Sequence, residues 1–405
     1  MVKIPRKFLF FLFLCVDLLF SSQVFAEKFS YKYRAGEKYR ILYEVDQIIK
    51  INGRPVRKSN VLYKVAVNTL AAKEGAGHLD CIFQTSDSIF ASQNSFVLRD
   101  EYRSNFWRDR FGVITIEDKF YMPVIRNVPR FPGKEIAIGE SWTADAYEVH
   151  DFRKSYKLKE YLRFPVKVHY TYVKNTTIGS KKLAVFKVHY TVFHKTKYQA
   201  RRGRAVPHLI TGFSEQLYYW DVEQGRLHSR SERFDYFFHL SDRQTVEYLG
   251  TSKGTYFTSP KLDKKRVAQK LNEELQQQGI DGTTVKQDKK GVTLSLDNIQ
   301  FKPFSAQLTE AEKSKLEKIA KLIKKFPSRD FLITGHTARV GSESSSQSLS
   351  EKRAQAVANF LLKVQALQKR QVTTTGRGSK EPLVDNATDA GRKKNRRVEI
   401  TILEN

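Results

Sequence analysis

Residues 162–172 read LRFPVKVHYTY, and this stretch decides how the larger part of the chain folds. Leu162, Phe164, Val166, Val168, Tyr170 and Tyr172 fall on one face, with Arg163, Pro165, Lys167, His169 and Thr171 opposite. Successive side chains of an extended chain point to opposite sides, so this period of two describes a strand with one covered and one wet face. Working outward, Val185, Lys187, His189, Thr191 and Phe193 alternate with Phe186, Val188, Tyr190 and Val192. Asn52-Gly53, Gly75-Ala76-Gly77, Ile178-Gly179-Ser180 and Gln224-Gly225 supply turns between such runs. Residues 27–258 are therefore expected to form an all-β antiparallel domain, a sandwich or a strongly curved sheet. An outer-membrane barrel is the alternative. It requires a charge-free apolar band of about 9–11 residues on every strand. The run from Leu217 is broken by Asp221 and Glu223, and Ser229 to Phe234 is polar on both faces, which favours the sandwich or curved sheet.

Composition agrees with a folded protein. Of 405 residues, 40% are hydrophobic, with 28 Phe and 19 Tyr, too apolar for a disordered chain and too evenly mixed for a helical membrane bundle. The 71 basic residues exceed the 43 acidic ones by 28, which admits nucleic acid, anionic lipid or an acidic polymer as partner. Export narrows the choice. Lys3, Arg6 and Lys7 precede the apolar run FLFFLFLCV (residues 8–16), and Val24-Phe25-Ala26 places small residues at a cleavage site. Residues 1–26 are expected to be a secretory signal. Leu14 before Cys15 disfavours a lipoprotein signal, and Asp17 interrupts the run before it could serve as a retained anchor. Cys81 then stands alone, so neither an intramolecular disulfide nor a cysteine-based zinc site is available, and a small core residue is its expected role.

The period changes after Ser259. Val267, Leu271 and Leu275 mark a helix that ends near Gly279 within a linker, residues 259–290, and packs on a neighbour. A strand is expected at Val292 to Phe301. A helix opened by the capping box Thr309-x-x-Glu312 carries Leu316, Ile319, Ala320, Ile323 and Phe326 inward. Strand Phe331 to Thr334, helix Ser350 to Val364, and strands Gln371 to Thr375 and Arg397 to Leu403 follow. The order β-α-β-α-β-β over residues 291–405 describes an α+β sandwich with helices on one face of a mixed sheet.

This C-terminal segment resembles the OmpA-like peptidoglycan-binding domain. The resemblance rests on motifs in order: Ile299-Gln-Phe301 with Ser305-Ala-x-Leu308; Gly335-His336-Thr337; Leu349-Ser350-x-x-Arg353-Ala354-x-x-Val357; Gly376-x-Gly378 with Pro382; and Asn395-Arg396-Arg397-Val398. It implies a pocket that grips a peptidoglycan stem peptide without chemistry, the arginine at Arg353 pairing with a carboxylate and an aspartate after the Gly-His-Thr segment answering the ammonium. Here the aspartate position is Ala338. Thr337, Ala338, Arg353, Asn395 and Arg396 are the expected ligand-binding residues, with Glu343 in a serine-rich loop, residues 341–348, as a substitute acid. Asn395 and Arg396 have a second reading, in which their motif only fixes the last strand. The segments Tyr31 to Arg40 and Met122 to Pro132 loosely resemble amino-terminal regions of spirochaete-type envelope proteins.

No enzyme signature is found: there is no HExxH helix, GxSxG elbow or GxxxxGK[ST] loop. His336 is expected to support the backbone, and His169 and His189 to meet only through folding. Arg201-Arg202-Gly203-Arg204 reads as an exposed loop. The expectation is a non-enzymatic, cofactor-free and metal-free envelope protein in the periplasm. Peptidoglycan is its expected partner, with an envelope protein or anionic membrane as a further contact and no nucleic acid. The alternatives are an interaction scaffold whose wall pocket has lapsed, or a barrel with a wall-binding tail.

Overall fold

The computed structural model describes residues 26–404 except 89–94, 199, 201–204, 259–260, 298, 300, 302–304 and 340. Residues 1–25, expected to belong to a secretory signal, and the basic cluster 201–204 lie outside the described residues.

Ten long strands dominate the first half: β1 (Lys38–Ile51), β2 (Arg54–Lys73), β3 (Ala76–Ser88), β4 (Phe96–Arg108), β5 (Ser141–His150), β6 (Leu162–Ile178), β7 (Lys181–Lys195), β8 (Pro207–Asp221), β9 (Arg226–Leu240) and β10 (Thr245–Thr258). They join antiparallel in the order β5-β6-β7-β8-β9-β10-β1-β2-β3-β4. The connection between β4 and β5 pairs with both ends of this ladder, Ile116 opposite Phe106 on β4 and Ile125 opposite Glu148 on β5, so the sheet curls on itself into a closed barrel rather than a sandwich. Curvature is strong enough for Glu148 on β5 to reach Tyr190 on β7 at 2.8 Å and Tyr236 on β9 at 2.6 Å.

The concave face is an aromatic core. Phe29 and Tyr31 from the segment before β1, and Phe131 from the connection between β4 and β5, pack against Tyr172, Phe186 and Trp220. The convex face is wet: on β6, Arg163, Pro165, Lys167 and His169 are exposed while Leu162, Phe164, Val166, Val168 and Tyr170 are buried. Charges at mid-strand leave β6 without an apolar band for lipid. His169 and His189 do meet, as cross-strand partners with rings stacked at 4.9 Å on that wet face. Cys81 is a buried free thiol, pushed up to about 12 by that burial. No helix among the described residues is long and apolar enough to cross a membrane.

The second half contains α1 (Lys264–Gln277), β11 (Thr283–Gln287), β12 (Gly291–Asp297), α2 (Glu310–Ile323), β13 (Phe331–Gly335), α3 (Glu343–Lys363), β14 (Val372–Gly376), α4 (Asp389–Asn395) and β15 (Arg397–Leu403). Its sheet runs β11-β12-β15-β13-β14, mixed because β13 and β14 are parallel. Leu271 and Leu275 of α1 join the core formed by Leu316, Ile319, Ile323, Val357 and Leu361, so this helix packs on the C-terminal sheet. Thr309 caps α2 by accepting from the Glu312 backbone N–H at 3.4 Å, while the Glu312 carboxylate does not return the bond.

Three local expectations change. The strand expected to reach Phe301 stops at Asp297, and Phe301 makes only a bridge to Leu308. Strand β11 and helix α4 add to the expected β-α-β-α-β-β order. The serine-rich stretch is helix, not loop: α3 begins at Glu343, capped by Ser342, whose hydroxyl accepts from the Ser345 N–H at 3.1 Å. Serine is a modest helix former, but Ser346 and Ser350 bury one side of this turn, and packing overrides propensity.

The halves also meet edge to edge. The start of β4 adds in parallel to β14, Phe96 opposite Thr373 and Val97 opposite Thr374, with the Thr374 hydroxyl donating to the Phe96 carbonyl at 3.2 Å. An edge strand left open would be a template for association; here part of it is covered from within the chain.

Candidate ligand-binding site

The site is assembled beneath α3, where β13 and β14 end and β15 begins. The His336 N–H donates to the Arg397 carbonyl at 2.9 Å, and the Thr337 N–H to the Gly378 carbonyl at 2.9 Å. Helix α3 presses directly on these ends. A Cβ at Gly335 would lie 2.0 Å from the Ser350 carbonyl oxygen, so glycine is the residue that permits the approach. The Ser350 hydroxyl accepts from the Gly378 N–H at 2.9 Å and donates to the Gln347 carbonyl at 2.7 Å. This bond fixes the helix turn that carries Arg353.

Arg353 is half-buried, its guanidinium 4.8 Å from the centre of the Phe301 ring. Its Nε is buried without a partner, and neither Arg353 nor Arg396 has a carboxylate within ion-pair distance among the described residues. Burial, and then the neighbouring Arg396 charge, hold the Arg353 pKa below the usual arginine range. Two half-buried cations side by side without an acid make a site that favours an anion.

The other expected residues divide. Thr337 is buried, with its hydroxyl oxygen unpartnered; Ala338 is buried and 5% exposed, so the aspartate position is apolar and closed. Asn395 is wholly buried. Its amide oxygen accepts from the Leu383 and Val384 N–H groups at 2.8 and 3.2 Å, and its nitrogen donates to the Val384 carbonyl at 2.7 Å and Asn386 Oδ1 at 3.1 Å. Asn395 thereby shapes the 383–386 loop and has no free side-chain atom to offer. Glu343 points to Lys380 at 2.6 Å on the exposed first turn of α3, where it does not substitute for the missing acid.

Beneath the site, Glu399 accepts from Arg397 Nε at 2.8 Å and lies 3.5 Å from His336 Nε2, which makes no hydrogen bond. Burial raises the Glu399 pKa, but His336 and then Arg397 outweigh it and bring it to about 2. The His336 ring is buried, with neither nitrogen hydrogen-bonded, and it is the backbone N–H that joins the strand end to Arg397. Among the described residues no cluster of His, Cys, Asp and Glu is suited to a metal ion. Sequence reasoning missed the platform role of Phe301, although the residue lay in a quoted motif, and the Asn386 side chain, which accepts from the Arg339 and Asn395 nitrogens.

The OmpA family model matches residues 300–396, the span that holds Phe301, Thr337, Arg353 and Arg396. Residues 300–396 are an OmpA domain. Outer membrane porin F of Pseudomonas aeruginosa is 34% identical over 111 residues, 27% of this chain and 31% of that protein. Peptidoglycan-binding protein ArfA of Mycobacterium bovis is 38% identical over 104 residues, 26% of this chain and 32% of that protein. The chain thus spans about a third of the length of these curated relatives. A solved outer membrane protein of Borrelia burgdorferi B31 is 43% identical, covering 30% of this chain and 96% of that one, with a TM-score of 0.25. Relatives of the OmpA domain are cell-envelope proteins of the outer membrane or wall.

Proposed function

We propose that this is an exported, non-catalytic envelope protein that attaches to, or spaces the outer membrane from, the cell wall through its OmpA domain. The observation that carries this reading is the Arg353 guanidinium, stacked on Phe301 beside Arg396 and lacking a carboxylate partner among the described residues. A carboxylate at the end of a stem peptide supplies the missing acceptor, and a guanidinium receives it through two parallel bonds. With Ala338 in place of an acid, the pocket favours a stem whose diamino acid presents less positive charge, or binds the usual stem weakly with the aid of the chain's net charge. The matched relative named for peptidoglycan binding supports the same assignment.

Ala338 also supports a second reading, a periplasmic scaffold whose pocket no longer takes wall. Co-sedimentation of the full-length protein with purified peptidoglycan over a salt series separates the two. Under the first reading the wild type pellets at moderate salt and Arg353→Ala does not; under the second neither pellets, and attachment by charge alone fades for both as ionic strength rises.

A further inference from the structure

A cavity of about 510 Å³ opens beside β5, in the half of the molecule that has no assigned ligand. Its walls carry five basic side chains, Lys119, Arg126, Arg153, Lys159 and Arg163, against the two acids Asp118 and Glu160. Topology brings the guanidiniums together. Arg126 pairs across from Tyr147 on β5, Arg163 lies opposite Val149 on the adjacent strand β6, and Arg153 follows β5 in a short helical turn.

The three arginines differ in how they are satisfied. Arg153 is held by Asp151 through two bonds of 2.9 Å and lies 4.0 Å over the Tyr161 ring, so it builds wall. Arg126 is only 3% exposed. Its Nη2 donates to the Phe120 carbonyl at 2.6 Å and to the Tyr121 carbonyl at 3.4 Å, which fixes the plane, but its Nε is buried without a partner and no carboxylate pairs with it among the described residues. Burial and then Arg163 push the Arg126 pKa below the usual range. Arg163 meets Asp118 at 3.2 Å, but that aspartate side chain is 90% exposed and free to turn to water. A buried cation without a counter-charge is costly unless an anion completes it. Arg126 with an unpartnered Nε, and Arg163 shared between an exposed aspartate and the Tyr147 ring at 4.3 Å, flanked by two lysines, suit a doubly charged group with several acceptor oxygens better than a single carboxylate. The volume lies within the range of small-molecule sites, about 300–1,000 Å³.

We propose that this cavity binds a phosphate ester, its phosphate seated between Arg126 and Arg163 and its organic part against Phe120 and Tyr161. The group comes either from a soluble phosphorylated metabolite or from a phospholipid headgroup.

The test is calorimetric titration of the full-length protein with glycerol 3-phosphate, alongside flotation with phosphatidylcholine vesicles with and without phosphatidic acid. The expected result is saturable binding that weakens about tenfold or more in Arg163→Ala and in Arg126→Gln, and is unchanged in Arg233→Ala, a remote exposed arginine. Arg163 sits on an exposed strand face, so its variant remains informative should the Arg126 variant misfold. Binding of the soluble ester identifies a metabolite source; arginine-dependent binding to phosphatidic acid vesicles alone identifies a headgroup. Absence of both, or equal weakening by Arg233→Ala, overturns the proposal.

Discussion

Arg40 Nη1 lies 2.9 Å from Asp330 Oδ2, a contact that ties strand β1 to the turn before β13. Lys64 Nζ approaches the same oxygen at 3.5 Å and donates to the Gln371 carbonyl at 3.3 Å, while Arg40 Nη2 donates to the Ser328 carbonyl at 2.8 Å. Lys64 is buried, which lowers its pKa, and Asp330 pushes the other way. One aspartate thus answers two cations where the OmpA domain docks on the curved sheet.

Replacing this acid is expected to be costly, since it strands a buried lysine. Asp330→Asn should lower stability by about 3 kcal/mol, read from the urea midpoint. Adding Lys64→Met should recover part of the loss, because the more deeply buried of the two orphaned charges is then gone while Arg40 remains. No loss in the single variant would mean that the docked edge contributes nothing in solution.

The closed apolar position at Ala338 makes a gain-of-function test. Ala338→Asp supplies the acid that would face an ammonium of a diamino acid. A charge-assisted hydrogen bond contributes roughly 1.5–3 kcal/mol, so binding to a stem peptide with a free side-chain amine should tighten about 10- to 100-fold, measured by calorimetry. An unchanged affinity would count against the stem-peptide geometry.

Glu399 gives the OmpA domain a defined acid limit. Its carboxyl is held at about 2, against an ordinary 4.5, so its ionised form favours the folded state. The contribution is fully present above about pH 4.5 and is lost as pH falls toward about 2, a loss of roughly 3 kcal/mol. Thermal melts across this window should drop steeply for the wild type and more shallowly for Glu399→Gln. Parallel profiles would refute the assignment.

Asn395 and Arg353 should separate in their effects. Asn395→Ala removes four hydrogen bonds and leaves buried groups of the 383–386 loop unsatisfied, at a cost of about 2–3 kcal/mol, seen as a lower melting temperature. Arg353→Ala should leave melting nearly unchanged while abolishing wall binding. A thermally silent Asn395 variant that loses binding would instead make Asn395 a direct contact.

Much of this arrangement was legible in the residues, for identifiable reasons. The alternation at Leu162–Tyr172 and the inward stripe Leu316, Ile319, Ile323 are local periodicities, and burial follows them position by position. Ser342 to Ser348 misled because serine favours turns when taken alone; only the packing of Ser346 and Ser350 makes the segment helical. Asn395 was ambiguous for a similar reason. Its motif located it, but whether its amide faces ligand or loop depends on where residues 383–386 pass.

The sequence alone determined two classes of structure, one of period two and one of mixed periods, and the presence of an OmpA-like domain, because pattern and motif are properties of neighbours along the chain. Tertiary structure decided that β4 extends the C-terminal sheet, that Asp330 faces both Arg40 and Lys64, and that Arg126 and Arg163 share a cavity. These contacts join residues far apart in the chain. Their energies depend on burial and on the charges that folding brings near, and no local pattern records either.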